Sequence, residues 1–142
     1  IMINNLRRTY YLNLFLSIKK KKNKNGINIA KPVLLLSILK GIEGNTITEN
    51  KIYFNKELIS CYRHLYYPYR TTVTPPEYPY YYLNSESFYT IVGSTNRKTP
   101  SAKFLREEVQ YSMLDDMLWQ LLQNSDARQE FSEAIITHFL NK

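Results

Sequence analysis

Cysteine is nearly absent from this 142-residue chain: Cys61 stands alone, which excludes an internal disulfide and any cysteine-rich zinc site. Its plainest role is that of a small buried residue. Histidine is scarce too, with only His64 and His138, and neither has a second ligand at metal-site spacing. No apolar run is long enough to span a bilayer; the longest, Pro32 to Leu39, is a fraction of the required length, and no cleavable signal pattern precedes it. A soluble, cytoplasmic protein with no membrane association is therefore expected. The last absence is of negative charge: no Asp or Glu occurs before Glu43.

What is there instead is a polarised charge distribution. The net charge is +7, and the acid-free stretch holds Arg7, Arg8, Lys19, Lys20, Lys21, Lys22, Lys24, Lys31 and Lys40. From Leu105 onward the sign reverses, with Glu107, Glu108, Asp115, Asp116, Asp126, Glu130 and Glu133. One end attracts polyanions and the other faces solvent or a partner. At 44% hydrophobic the length suits one core, so residues 1–142 are expected to form a single domain.

Catalytic chemistry finds no foothold. Gly41-Ile42-Glu43-Gly44 lacks the Gly-Lys-Ser/Thr ending of a phosphate loop. Asp115 and Asp116 fall in an expected helix, where neighbours point apart and cannot work as an acid–base pair. No metal, cofactor or enzymatic activity is expected within the chain.

Leu6, Tyr10, Leu14 and Ile18 recur at four-residue spacing and predict a helix over 6–18 with those residues inward. Lys19 to Lys24 then form a basic loop, either solvated or in contact with phosphates. Pro32 suits the first turn of a second, wholly apolar helix through Leu39 at the centre of the core. Lys31 lies at that helix's N-terminus, where the dipole favours anions, or is simply exposed. Gly41 and Gly44 break the chain, and Thr46 to Phe54 predicts one or two strands. Asn55 caps a third helix that turns Leu58, Ile59, Tyr62 and Leu65 inward and Arg63 and His64 outward.

Tyr66 to Leu83 crowds four prolines among seven of the chain's thirteen tyrosines. So much proline predicts an extended or turn-like segment at 75–79, with Tyr80–Leu83 and Phe88–Val92 pairing as a hairpin. Such a segment is either a rigid recognition surface or a loop clamped over the core. Gly93 to Thr99 is a basic loop with Arg97 and Lys98, and Pro100 opens a short helix that places Lys103 and Arg106 on one side. Ser112 with Asp115, and Asp126 with Gln129, read as capping boxes for two closing helices, the last burying Phe131, Ile135, Ile136 and Phe139. The fold class expected is α+β: mainly helical, winged-helix-like, with a small antiparallel sheet.

Taken in order, Ala30-Lys31-Pro32-Val33-Leu34-Leu35-Leu36, Glu77-Tyr78-Pro79-Tyr80-Tyr81-Tyr82-Leu83, Pro100-Ser101-Ala102-Lys103-Phe104-Leu105 and Leu114 to Leu122 resemble the sulfur-binding domain of phosphorothioate-dependent restriction endonucleases. The resemblance spans nearly the whole chain. It implies binding to double-stranded DNA in which sulfur replaces one non-bridging phosphate oxygen. It also implies a sulfur pocket made by Tyr78, Pro79 and Tyr82, with Lys31 and Lys103 approaching from either side. In that family an HNH nuclease domain commonly follows, serving restriction and bacterial defence, and here it would begin after Lys142. Arg7, Lys19 to Lys22, Lys24, Arg97, Lys98 and Arg106 are then candidates for neutralising flanking phosphates. Two other readings compete: a winged-helix-like binder of unmodified nucleic acid, and an aromatic-loop domain for carbohydrate or protein.

Overall fold

The structure is a computed structural model that describes residues 2–19, 22–23 and 26–141. The basic-loop candidates Lys20, Lys21 and Lys24 lie outside the described residues, and Lys22 enters only as backbone.

Helix α1 (Met2–Leu16) leads through a short antiparallel pair, β1 (Lys22–Asn23) and β2 (Gly26–Ile27), into α2 (Ala30–Glu43). Helix α2 is apolar on every side and buries Val33 to Leu39 without interruption, as its sequence predicts. Around it pack α3 (Lys56–Tyr66), α4 (Glu77–Tyr82) and α7 (Ser125–Ile135). A second antiparallel pair, β3 (Tyr89–Gly93) and β4 (Val109–Leu114), encloses the loop 94–101 and α5 (Ala102–Glu108) between its strands. Helix α6 (Asp116–Leu121) and α7 close the chain, and α7 runs on as one wider turn over Ile136–Leu140. The architecture is α+β and mainly helical, as expected.

Several local expectations are corrected. Of the four residues expected inward, Ile18, just past α1, is buried and Leu14 is half-buried, whereas Leu6 and Tyr10 are 65% and 57% exposed and Tyr11 and Phe15 fill the core in their place. The cause is phase: residues four apart drift by about 40° per step around a helix, whereas alternating steps of four and three hold one direction. Phe15 earns its position by meeting Phe88 and Phe131 at ring separations of 4.8 and 5.1 Å. Gly41 does not break α2; it lies within the helix, where an added Cβ would stand 2.6 Å from Ile47 Cδ1, and Gly44 is the C-cap.

The stretch 46–54 forms no strand beyond a single bridge from Ile52 to Ser112. Asn50 stands in for a strand there: its amide donates to the Leu114 carbonyl (2.7 Å) and accepts from the Leu114 N–H (2.9 Å). Ser112 is a buried residue of β4 rather than a cap, and Asp115 takes the N-cap position of α6, accepting a hydrogen bond from the Tyr11 hydroxyl. Asn124, not Asp126, caps α7. Asn55 caps α3 as predicted, accepting from Leu58 N–H at 3.0 Å.

Candidate nucleic-acid interface

The proline-rich segment contains a helix, against expectation. Pro76 is the N-cap of α4 and Pro79 its third residue, both within the first turn, where a missing N–H leaves no intrahelical bond unmade. The turn Leu83–Ser85 then ends the helix, so Tyr80 to Leu83 cannot pair with Phe88 to Val92; β3 pairs with β4 instead. The helical form gives the segment two faces. Pro79, Tyr80 and Leu83 are buried, and the Tyr80 hydroxyl donates to the Ile52 carbonyl at 2.7 Å. Tyr78 and Tyr82, four residues apart, form the other face with their rings parallel to within 4° and centroids 6.2 Å apart. The segment is thus a core clamp on one side and a presented aromatic surface on the other.

That aromatic face forms one wall of a groove enclosing about 750 Å³, a size suited to a ligand rather than to a packing defect. Tyr78, Pro79 and Tyr82 line it, and so do Lys31 at the start of α2, Lys19 after α1 and Lys98 on the 94–99 loop. Four of the five residues expected at the pocket therefore meet. Lys103, the fifth, is exposed on α5 and does not line the groove.

Each wall is held by identifiable bonds. The Tyr82 hydroxyl donates to the Lys98 carbonyl at 2.9 Å and the Tyr81 hydroxyl donates to the Arg97 carbonyl, so α4 fixes the basic loop. Arg97 also lays its guanidinium 5.4 Å from the centroid of the Phe104 ring. Across the groove, the Asn28 side chain accepts from the Ala30 N–H at 2.7 Å and secures the first turn of α2. Thr74, also in the lining, is gripped by α3: its carbonyl accepts from the Tyr62 hydroxyl (2.8 Å), and its Oγ1 lies 3.2 Å from the Tyr66 hydroxyl. The Lys31 ammonium lies 3.6 Å from the Glu86 carboxylate, and Glu86 also accepts the Lys19 N–H at 3.0 Å.

An apolar wall facing ammonium groups can bind an anion that also offers a poorly hydrated surface. Among the described residues no group of three His, Cys, Asp or Glu side chains gathers as metal ligands. Nor is any described helix long and apolar enough to cross a membrane.

Among solved structures, the chain is similar to "Sulfur binding domain of SprMcrA complexed with phosphorothioated DNA", with a TM-score of 0.67 over 95% of this chain and 86% of that one. The fold is that of a sulfur-binding domain. Sequence identity across the match is 19%. No family model matches the chain, and no curated protein does.

The remaining basic candidates are dispersed. Arg106 and Lys103 are both exposed on α5. Arg7 is half-buried on α1, and neighbouring Arg8 is engaged by Glu130 of α7. The sequence reading missed Asn28, Thr74, Ser85, Thr99 and Glu86. Of these only Asn28 carried a signal, since an Asn just before a helix with proline in its first turn is a capping pattern. Thr74 and Glu86 matter through contacts to residues distant in sequence.

Proposed function

We propose that this chain is a DNA-binding module that recognises a phosphorothioate in the backbone, gripping sulfur against Tyr78, Pro79 and Tyr82 while Lys31 neutralises the phosphate charge. The observation that carries this reading is the groove itself, whose lining brings the tyrosine–proline face of α4 together with Lys31, Lys19 and Lys98. The fold's likeness to a domain solved with phosphorothioated DNA supports it.

The physics favours sulfur. Sulfur is larger, more polarisable and more weakly hydrated than oxygen, so packing it against a proline ring and a tyrosine face costs less desolvation. Pro79 adds to this because it brings no N–H into the buried wall. Affinity comes from elsewhere: Lys19, Lys98 and Arg97 at the groove, with Lys103, Arg106, Arg7 and the lysine run of 19–24, neutralise flanking phosphates and release counterions. In a longer polypeptide such a module would deliver an attached HNH nuclease to modified DNA, a role in restriction and defence.

Two duplexes that differ only by one sulfur, compared at a single salt concentration by fluorescence anisotropy, test the reading. The modified duplex should bind at least about tenfold tighter, the gain of one well-buried apolar contact. Equal affinity would leave an ordinary nucleic-acid binder. Binding should also weaken steeply as salt rises. An aromatic-loop binder of carbohydrate or neutral protein surface would scarcely respond.

A further inference from the structure

Glu86 is an acid paired with the cationic residues of the groove: it touches Lys31 and Lys19, which line the groove, while standing outside the lining itself. It follows directly on the turn Leu83–Ser85, and its own N–H returns to the Leu83 carbonyl at 2.9 Å. One carboxylate oxygen accepts the Lys19 N–H at 3.0 Å and stands 3.6 Å from the Lys31 ammonium. The two paired side chains are only 12% and 16% exposed, so solvent and salt screen them less than a surface pair. Glu86 thereby ties the end of α1, the start of α2 and the turn after α4 into one unit.

We propose that Glu86 is a built-in competitor of the DNA phosphate and sets the affinity threshold of the groove; this rests on the reading of the groove as a DNA-backbone site. In the free protein its carboxylate offsets the Lys31 charge, so an entering anion gains little from charge alone. An anion within reach of Lys31 lies roughly 7 Å from the Glu86 carboxylate, and the repulsion, at the effective dielectric of a protein surface and after screening by the salt that enters an open groove, amounts to about a tenfold loss of affinity. Phosphate and phosphorothioate diesters each carry one negative charge, so both suffer it alike. The consequence differs. Ordinary DNA, held mainly by charge, falls toward its non-specific background, whereas a modified step keeps the apolar contact with Tyr78 and Pro79. Because the ratio between the two is unchanged, Glu86 sets how tightly either duplex is held and not how well the two are told apart.

The test is Glu86→Gln, whose side-chain oxygen can still accept the Lys19 N–H while the charge is gone. Both duplexes should bind about tenfold tighter, with the ratio between them unchanged. Unchanged or weaker binding of both would overturn the proposal and leave Glu86 as a brace. A change confined to one duplex, or to one base sequence, would also overturn it, by showing that Glu86 contacts the sulfur or a base edge. Glu86→Ala, which also removes the bond to Lys19, should bind no tighter than Glu86→Gln; if it binds tighter, the amide is itself an obstacle and charge is not the cause. Should the wild-type protein bind neither duplex, the DNA reading fails on its own account. The competitor role is then decided with inorganic phosphate and thiophosphate, followed through the backbone amide shifts of Lys19 and Lys31. Tighter binding of both ions by Glu86→Gln supports it, and no difference overturns it.

Discussion

Two tyrosine pairs at the same four-residue spacing meet opposite fates in this molecule. Tyr62 and Tyr66 on α3 are 0% and 3% exposed and pack edge to face, with centroids 5.4 Å apart. Tyr78 and Tyr82 on α4 stack in parallel and line the groove, with Tyr82 38% exposed. The difference lies in what each helix packs against. Helix α3 is set against α2 along its tyrosine stripe, and both hydroxyls turn back to Thr74. Helix α4 meets the core through Pro79, Tyr80 and Leu83, which leaves its other side for presentation. The first pair positions the lining of the groove through Thr74, and the second is the lining. An i, i+4 aromatic pair therefore carries no functional meaning until the orientation of its helix is known.

The largest expected effect belongs to buried rings, Tyr62 among them, and is alkaline unfolding. Burial pushes the Tyr80 hydroxyl up to about 12 and those of Tyr62 and Tyr89 higher than the ordinary value near 10. The folded protein holds these protons more tightly than the unfolded chain does. Their stabilisation is whole below about pH 10 and is lost as pH rises through the folded values. Circular dichroism and tyrosinate absorbance should thus change together above about pH 12, whereas any tyrosines that ionise earlier should do so without loss of helix. Separate transitions would show that the buried rings do not hold the fold.

Next in size comes truncation. Tyr62→Ala removes a fully buried ring and should cost about 3–5 kcal/mol in denaturant unfolding. Tyr78→Ala should cost about 1 kcal/mol or less while abolishing the sulfur preference, because its ring faces the groove. Comparable stability losses would place the two pairs in the same role.

How much of this was readable beforehand depended on whether the information was local. Helix α2 was legible because eight successive buried positions leave no phase to mistake. Helix α1 was legible as a helix but only in part in its orientation: Ile18 and, in part, Leu14 face inward as the four-residue spacing predicts, while Leu6 and Tyr10 give way to Tyr11 and Phe15. Helix α4 is hidden in the sequence because proline breaks a helix everywhere except in its first turn, which is where Pro76 and Pro79 stand. The strand at Phe88–Val92 could be seen, but its partner lies beyond α5, and Ser112 within that partner imitates a cap. At the groove, the meeting of Tyr78, Pro79 and Lys31 followed from resemblance and not from spacing. Nothing local marks Glu86, whose partners Lys19 and Lys31 lie far upstream and on other elements.

Pro79→Ser sharpens the contrast within α4. It places a hydroxyl and a backbone N–H at a buried position that now has neither, so preference for the sulfur duplex should fall by about tenfold or more, with affinity for the unmodified duplex nearly kept. Proportional losses on both duplexes would remove Pro79 from the sulfur contact.

The smallest expected effect belongs to Tyr82→Phe. The ring stays and the wall is preserved, but the bond to the Lys98 carbonyl is lost, and of the two bonds from α4 to the 94–99 loop the one from Tyr81 remains. A single such bond contributes about 1 kcal/mol, which predicts roughly a fivefold loss of affinity for both duplexes and an unchanged ratio between them. The salt dependence should flatten slightly as Lys98 ceases to be held against the backbone. If the ratio changes instead, the hydroxyl itself touches the modified phosphate, and Tyr82 differs from the Tyr62–Tyr66 pair in contacting the ligand rather than positioning what does.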